Sequence, residues 1–304
     1  MRRVLVTGGS GLVGKAIVHR LLAASCRVTV VSRRPLTLTH PRLDWLGGDL
    51  SDDAAPFWSH LPRSDDVVHA AARITDGGDP ASLTALATTN IRASEQLLDW
   101  CLRTKPNKVV FLSSLSVLAR PLRVPIRETD AVGPISPYSM SKLWGEEALV
   151  RQAQVGGFTP IALRISSPLP ENFVDTPYTV VRKWIEAAAY SNTLTVFGSG
   201  SRVQDFVACE DVADAVWNAL DSVASCGIYH IGSGKPISML DLAHVIARFR
   251  NTRIELMGAD PNEADRWLLS LKRAHHDLGF SPRFTSQQVI ERLAASGLGV
   301  ENGL

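Results

Sequence analysis

An α/β fold built on a doubly wound parallel sheet, with a smaller mixed lobe toward the C-terminal side, is what this sequence predicts. Three observations carry the prediction. Short apolar, β-branched runs alternate strictly with helical patterns through the first 165 residues, the rhythm of a parallel sheet covered on both faces. Those runs are apolar residue after residue, as strands buried on both sides must be. After about Ile165, prolines cluster at Pro168, Pro170 and Pro177 and the rhythm loosens, which marks the second lobe.

The elements follow in order. "RVLVTG" reads as a strand and "LVGKAIVHRLLAA" as a helix; "RVTVVS" is a second strand and "LDWLGGDL" holds a third. "DDVVHAAA" is a fourth, followed by one long helix over "SLTALATTNIRASEQLLDWCLR". "NKVVFLSS" is a fifth strand, "YSMSKLWGEEALVRQAQ" a helix and "FTPIALRISS" a sixth strand. Right-handed crossovers wind such a chain to both sides of one sheet. Further on, "LTVFGSGSRVQDFV" reads as strand, glycine turn and strand, and "CEDVADAVWNALDSV" as a helix with acids in its first turn. "GIYHIGS" is another buried strand, and "SMLDLAHVIARF" and "SQQVIERLAAS" are amphipathic helices. Residues 1–165 with about 206–233 are expected to form the main domain, and about 166–205 with 234–304 the smaller lobe.

Net charge is +2 over 304 residues, so no strong field draws the chain to nucleic acid or a membrane surface. No apolar stretch approaches the ~18 residues of a membrane span, and a strand pattern from Arg3 does not read as a signal peptide. Cys26, Cys101, Cys209 and Cys226 stand singly, without a CxxC or Cys/His cluster. A metal site is therefore not expected, and a reducing cytoplasm is the expected home.

"VTGGSGLVG" places Gly8, Gly11 and Gly14 between the first strand and the first helix. Glycine lets a phosphate approach the backbone, and the helix start offers free N–H groups and a partial positive charge. This points to nucleotide binding, although the spacing is GxxGxxG rather than GxGxxG. At the end of the second strand, a carboxylate would grip the ribose 2′-OH of NAD. The residues there are Ser32, Arg33 and Arg34, and an arginine fork suits a 2′-phosphate. NADP(H) is the favoured cofactor and NAD(H) the alternative.

"PYSMSK" puts Tyr138 four residues before Lys142, on one helix face. An ammonium near a phenol is expected to lower its pKa and ready it for proton exchange with a carbinol or carbonyl. Ser113, Ser114 and Ser116 end the fifth strand, at the sheet edge where ligands of open α/β sheets bind.

With these motifs in order over about residues 3–284, including "GDLSD", "VVHAAA", "FLSSLSV", "LRISSP", "LTVFGSGSRVQDFVACEDVADA" and "HHDLGFSP", the chain resembles the extended short-chain dehydrogenase/reductases, a branch with nucleotide-sugar epimerases, dehydratases and ketoreductases. The resemblance implies a Rossmann sheet and a catalytic set of Ser114, Tyr138 and Lys142. It implies that Gly8, Ser10, Gly11, Leu12, Val13 and Gly14 hold the pyrophosphate of the dinucleotide. Asp49 and Leu50 would contact adenine, Ala70, Ala71 and Ala72 would run along the cofactor, and Pro168 would pack near the nicotinamide. Lys142 would also hold the nicotinamide ribose. Asn90 would be structural or substrate-side, and Ser116, Ser167, Arg202, Gln204 and Arg266 are the other implied substrate-side residues.

The chain departs from the pattern at several points. Leu118 and Ala119 replace a Tyr-Gly pair. Ser167 stands where many members carry an asparagine on the substrate diphosphate, and Gln204 where many carry an arginine; Arg202, two positions earlier, is a possible substitute. Leu115 and Ser116 occupy the place of a dehydratase acid pair. His69 reads as structural, and Glu146 and Glu147 as a solvated helix face. A homodimer through helices near 82–104 and 137–154 is the resemblance-based expectation; Leu83, Leu86, Ile91, Leu97 and Leu98 could serve it or face the sheet. The expected activity is reduction of a keto group on a nucleotide-linked deoxysugar. An epimerase with retained NAD(P), a reductase of a non-sugar ketone and a non-catalytic NADP-binding protein are the alternatives.

Overall fold

The structure is a computed structural model that describes residues 1–52, 57–74, 79–120 and 123–299. The last five residues of the expected lobe lie outside that set. Six strands come first in the chain: β1 (Arg3–Thr7), β2 (Arg27–Ser32), β3 (Leu43–Gly47), β4 (Asp66–His69), β5 (Lys108–Ser114) and β6 (Thr159–Ile165). Four short ones follow: β7 (Ser167–Leu169), β8 (Thr193–Phe197), β9 (Val203–Gln204) and β10 (Phe206–Ala208). The last three are β11 (Gly227–Ile231), β12 (Ile237–Ser238) and β13 (Arg253–Met257).

One sheet has the order β11-β6-β5-β4-β1-β2-β3, and every neighbouring pair is parallel. The chain winds outward from β1 to β3, then returns and winds the other way from β4. The direction reverses between β1 and β4, which opens a crevice at their carboxyl ends. Helices Leu12–Ala23 and Cys209–Asp221 cover one face, where Ile17, Val18, Val212 and Val216 pack on Val4, Val6 and Val28. Helices Ala93–Thr104 and Pro137–Gly156 cover the other through Leu97, Leu98, Leu149 and Ala153. Each such fully buried aliphatic side chain contributes on the order of 1.5–3 kcal/mol. Leu86, Leu97 and Leu98 are thus buried within the chain and are unavailable to a helix-mediated dimer.

In the second lobe "LTVFGSGSRVQDFV" holds a strand, a glycine turn and further strand, but its pairing is not local. β8 pairs in parallel with β13, which the sequence reading missed. The second half splits at Asp205, with β9 joining β12 and β10 joining β7. The buried Asp205 carboxylate causes the split. It accepts bonds from Ser233 N (2.9 Å), Ser233 Oγ (2.8 Å) and Gly234 N (3.1 Å), which tie the strand to another loop. The long helix is also broken by a π-helical turn at Thr88–Arg92, a form common at functional sites.

The helix Pro137–Gly156 has clear local causes. Ser136 and Ser139 form a capping box, Pro137 fits its first position, and Gly157 at φ +71° ends it.

Candidate active site

The glycine loop lies at the reversal between β1 and β4. Gly8 adopts φ +71°, and a Cβ there would lie 2.6 Å from the Ala71 backbone. Its carbonyl accepts from Gly11 N at 2.9 Å. A Cβ on Gly14 would run into the Gly8 carbonyl oxygen, so Gly14 lets the helix sit on the loop. No side chain caps the helix start at Gly11, which leaves its first N–H groups open to an anion.

A cleft of about 210 Å³ opens beside this loop. Gly8, Ser10, Gly11, Ser32, Arg33, Arg34, Asp49, Leu50, Ala70, Ala71 and Ala72 all line it. The structure adds Val31, Gly48, Thr89 and Ala93; Thr89 lies in the π-helical turn and Ala93 directly after it. Leu12 instead lines a groove on the other side of its helix. Val13, Gly14 and Pro168 line neither, and Pro168 is held in β7 opposite Val207 of β10.

At the end of β2, the Ser32 hydroxyl is occupied. It donates to Arg34 O (2.7 Å) and accepts from Trp45 Nε1 (3.2 Å), so it shapes the turn. Arg33 is exposed, 4.0 Å from the Asp49 carboxylate. Burial raises Asp49, but hydrogen bonds from Ser51 Oγ (2.7 Å) and Ser51 N (3.0 Å), with the Arg33 charge, bring it below its ordinary value. The exposed Arg34 guanidinium has no partner among the described residues. The donor set therefore fits a dinucleotide.

The catalytic candidates come together. Tyr138 is half-buried, with Ser114 close enough to favour its ionised form. Burial pushes its phenol up to about 12, against the pull of Ser114. The expected lowering by Lys142 is thus outweighed: Lys142 Nζ lies 5.9 Å from the phenol ring centre and donates instead to Leu112 O at 2.8 Å. Burial takes the Lys142 ammonium down to about 8, while the Glu146 carboxylate pulls it up. Ser116 donates to Ser114 Oγ through its backbone N (3.2 Å) and its Oγ (3.0 Å).

Asn90 lies behind this set. It is buried, and its amide is spent on Arg73 N (2.7 Å), Arg73 O (2.9 Å) and Ser141 Oγ (3.0 Å). The Ser141 hydroxyl in turn donates to Tyr138 O at 2.7 Å. Asn90 therefore fastens the loop after β4 to the catalytic helix. His69 lies 2.6 Å from Thr7 Oγ1 and 2.9 Å from Ser94 Oγ. Burial first, and then the Lys142 charge, take it down to about 3, so it is neutral and structural.

Glu147 is exposed, but Glu146 is not a solvated residue. It is buried, and Arg164 of β6 grips it at 2.8–3.2 Å. Ser113 Oγ donates to the same carboxylate.

On the substrate side, the two departures meet each other. Gln204 Nε2 donates to Ser167 Oγ at 2.8 Å. Arg202 pairs with Asp260 at 3.1 Å, and Arg266 donates to Glu263 O (2.7 Å) and Asp265 O (3.0 Å). Arg120 reaches the same loop through Asn262 and Asp265; it follows the catalytic serine strand and carried no sequence signal. Among the described residues, no three His, Cys, Asp or Glu side chains converge as a metal site, and no helix could cross a membrane.

A cradle for a dinucleotide beside a Ser–Tyr–Lys set defines a dinucleotide-dependent hydride-transfer enzyme. The profile of the NAD dependent epimerase/dehydratase family matches residues 4–232, and the chain belongs to that family, within the extended short-chain dehydrogenase/reductases. It is 27% identical over 300 residues to a GDP-L-fucose synthase of Sinorhizobium fredii, covering 93% of this chain and 91% of that one. It is 26% identical over 322 residues to a UDP-glucose 4-epimerase of Azospirillum brasilense, covering 97% and 91%. Its fold is similar to that of a UDP-N-acetylglucosamine 4-epimerase of Methanobrevibacter ruminantium, with a TM-score of 0.85, 24% identity and coverage of 98% and 97%.

Proposed function

We propose that this enzyme uses NADP(H) to reduce a keto group, with a nucleotide-linked deoxysugar as the substrate class. The observation that supports this reading is Ser114, Tyr138 and Lys142 grouped at the carboxyl end of β5, two strands from the glycine loop. The loop at Gly8–Gly14 would hold the pyrophosphate and Arg33 with Arg34 the 2′-phosphate. When bound, the dinucleotide supplies the hydride. Tyr138 gives its phenolic proton to the carbonyl oxygen as that oxygen gains negative charge. Ser114 donates a hydrogen bond to the same oxygen and orients it. Lys142 holds positive charge beside the phenol and favours its deprotonated form.

A second reading, an epimerase with retained dinucleotide, is supported by likeness to the Azospirillum 4-epimerase. One preparation separates the two. The purified protein is denatured and its released nucleotide identified; it is then assayed with UDP-4-keto-6-deoxyglucose and NADPH, and with UDP-galactose alone. Empty protein that oxidises NADPH supports reduction. Tightly held dinucleotide with interconversion of UDP-galactose would replace reduction by epimerisation.

A further inference from the structure

The buried carboxylate one turn beyond Lys142 has no part in the proton transfer described above. Ser113, Arg164 and His230 stand in one row across β5, β6 and β11, paired in register. Glu146 meets this row from the catalytic helix. It accepts from Ser113 Oγ, one residue before Ser114, and from Arg164 Nε and Nη2. The Glu146 and Arg164 side chains are each only 3% exposed.

We propose that Glu146 is a positioning residue: its carboxylate clamps the catalytic helix to the strand carrying Ser114 and supplies the negative charge that Lys142 faces. The proposal rests on the reading of Ser114, Tyr138 and Lys142 given above. The geometry leaves few other sources of that charge. On its own helix Lys142 faces Tyr138 and Glu146; from β5 it meets the Phe111 ring at 4.8 Å and the Leu112 carbonyl. His69 of β4 is neutral. Beyond Glu146, Arg164 of β6 is cationic, and His230 of β11 is taken down to about 4 by burial and then by Arg164. Among the described residues Glu146 is thus the anion in the surround, and it is held in place on two strands.

The decisive measurement needs no substrate. Protein labelled with 13C at lysine Cε is titrated by NMR, with Lys142 assigned through Lys142→Met. In Glu146→Gln the Lys142 midpoint falls by about one unit, since the anion one helical turn away is removed. Glu146→Gln leaves Arg164 buried and uncompensated, so Glu146→Gln/Arg164→Gln is measured beside it and shows a lowered midpoint too. With UDP-4-keto-6-deoxyglucose and NADPH, the alkaline limb of turnover moves down by the same amount. The variants therefore lose less at pH 6 than at pH 8. A Lys142 midpoint unchanged in a folded variant, or a loss of rate equal at every pH, overturns the proposal. Turnover that survives Tyr138→Phe would overturn the proposed function alone; the lysine titration still decides the role of Glu146.

Discussion

Replacing Lys142 by methionine should make the protein more stable at neutral pH and inactive. The Lys142 ammonium is buried, and its pKa falls from 10.5 to about 8. That difference is the cost of keeping the charge inside the fold, about 3 kcal/mol at 1.36 kcal/mol per unit. Methionine keeps the apolar stem against Phe111 but loses the bond to Leu112 O, which costs about 1–2 kcal/mol. The net gain at pH 7 is therefore about 1–2 kcal/mol. The sign follows from proton binding: between pH 8 and 10.5 the unfolded lysine holds a proton that the folded one has shed. Wild-type stability therefore rises through that window, and the advantage of the variant disappears. Above it the variant is the weaker protein by the lost hydrogen bond. Urea midpoints of both proteins at pH 7 and pH 10.5 provide the assay. A difference that is flat with pH, or a variant weaker at pH 7, refutes the reasoning.

Other perturbations test neighbouring parts of the site. Arg34→Ala should weaken NADPH binding about 10-fold or more, by loss of a charge-assisted contact, and leave NADH within a factor of two; equal losses for both cofactors in a fluorescence titration would remove the 2′-phosphate role. Arg33→Ala should cost less, because Asp49 already shares its charge. Gly14→Ala should abolish dinucleotide binding, since its Cβ meets the Gly8 carbonyl; calorimetry showing wild-type affinity would contradict that packing. Tyr138→Phe should retain NADPH affinity while turnover falls at least about 100-fold.

What the sequence made legible was local. Most strands of the sheet are built on short apolar, β-branched runs, and the glycine loop and the Tyr138–Lys142 pair are contiguous motifs. What stayed hidden depended on partners far along the chain. Glu146 reads as surface from its own helix, because the cation that lets it be buried stands eighteen residues on, in another element. β8 pairs with a strand more than fifty residues away, and the Asp205 split needs Ser233 to be visible. Thr89 and Ala93 line the cleft from within and directly after a π-turn that no periodicity announces. Of the structural and substrate-side roles that the resemblance implies for Asn90, its bonds to Arg73 and Ser141 fit the structural one.

The two ends of the site handle cations differently, and this bears on what enters. At the cofactor end Arg34 has no partner among the described residues, so an incoming phosphate gains its full attraction without first breaking a bond. At the substrate end Arg202 is held by Asp260 and Arg266 by backbone carbonyls. Where the resemblance places a substrate diphosphate, the side chains are the neutral Gln204 and Ser167, bonded to each other. A diphosphate there must draw Arg202 from Asp260 or be held by uncharged donors, whose hydrogen bonds are roughly half as strong as charged ones. Binding of a UDP-sugar should therefore depend on Arg202 more than on Gln204. Titrating UDP-galactose into Arg202→Ala and Gln204→Ala separates the alternatives: a diphosphate substrate loses far more affinity in the first variant. Equal, small losses favour a ketone substrate without a diphosphate.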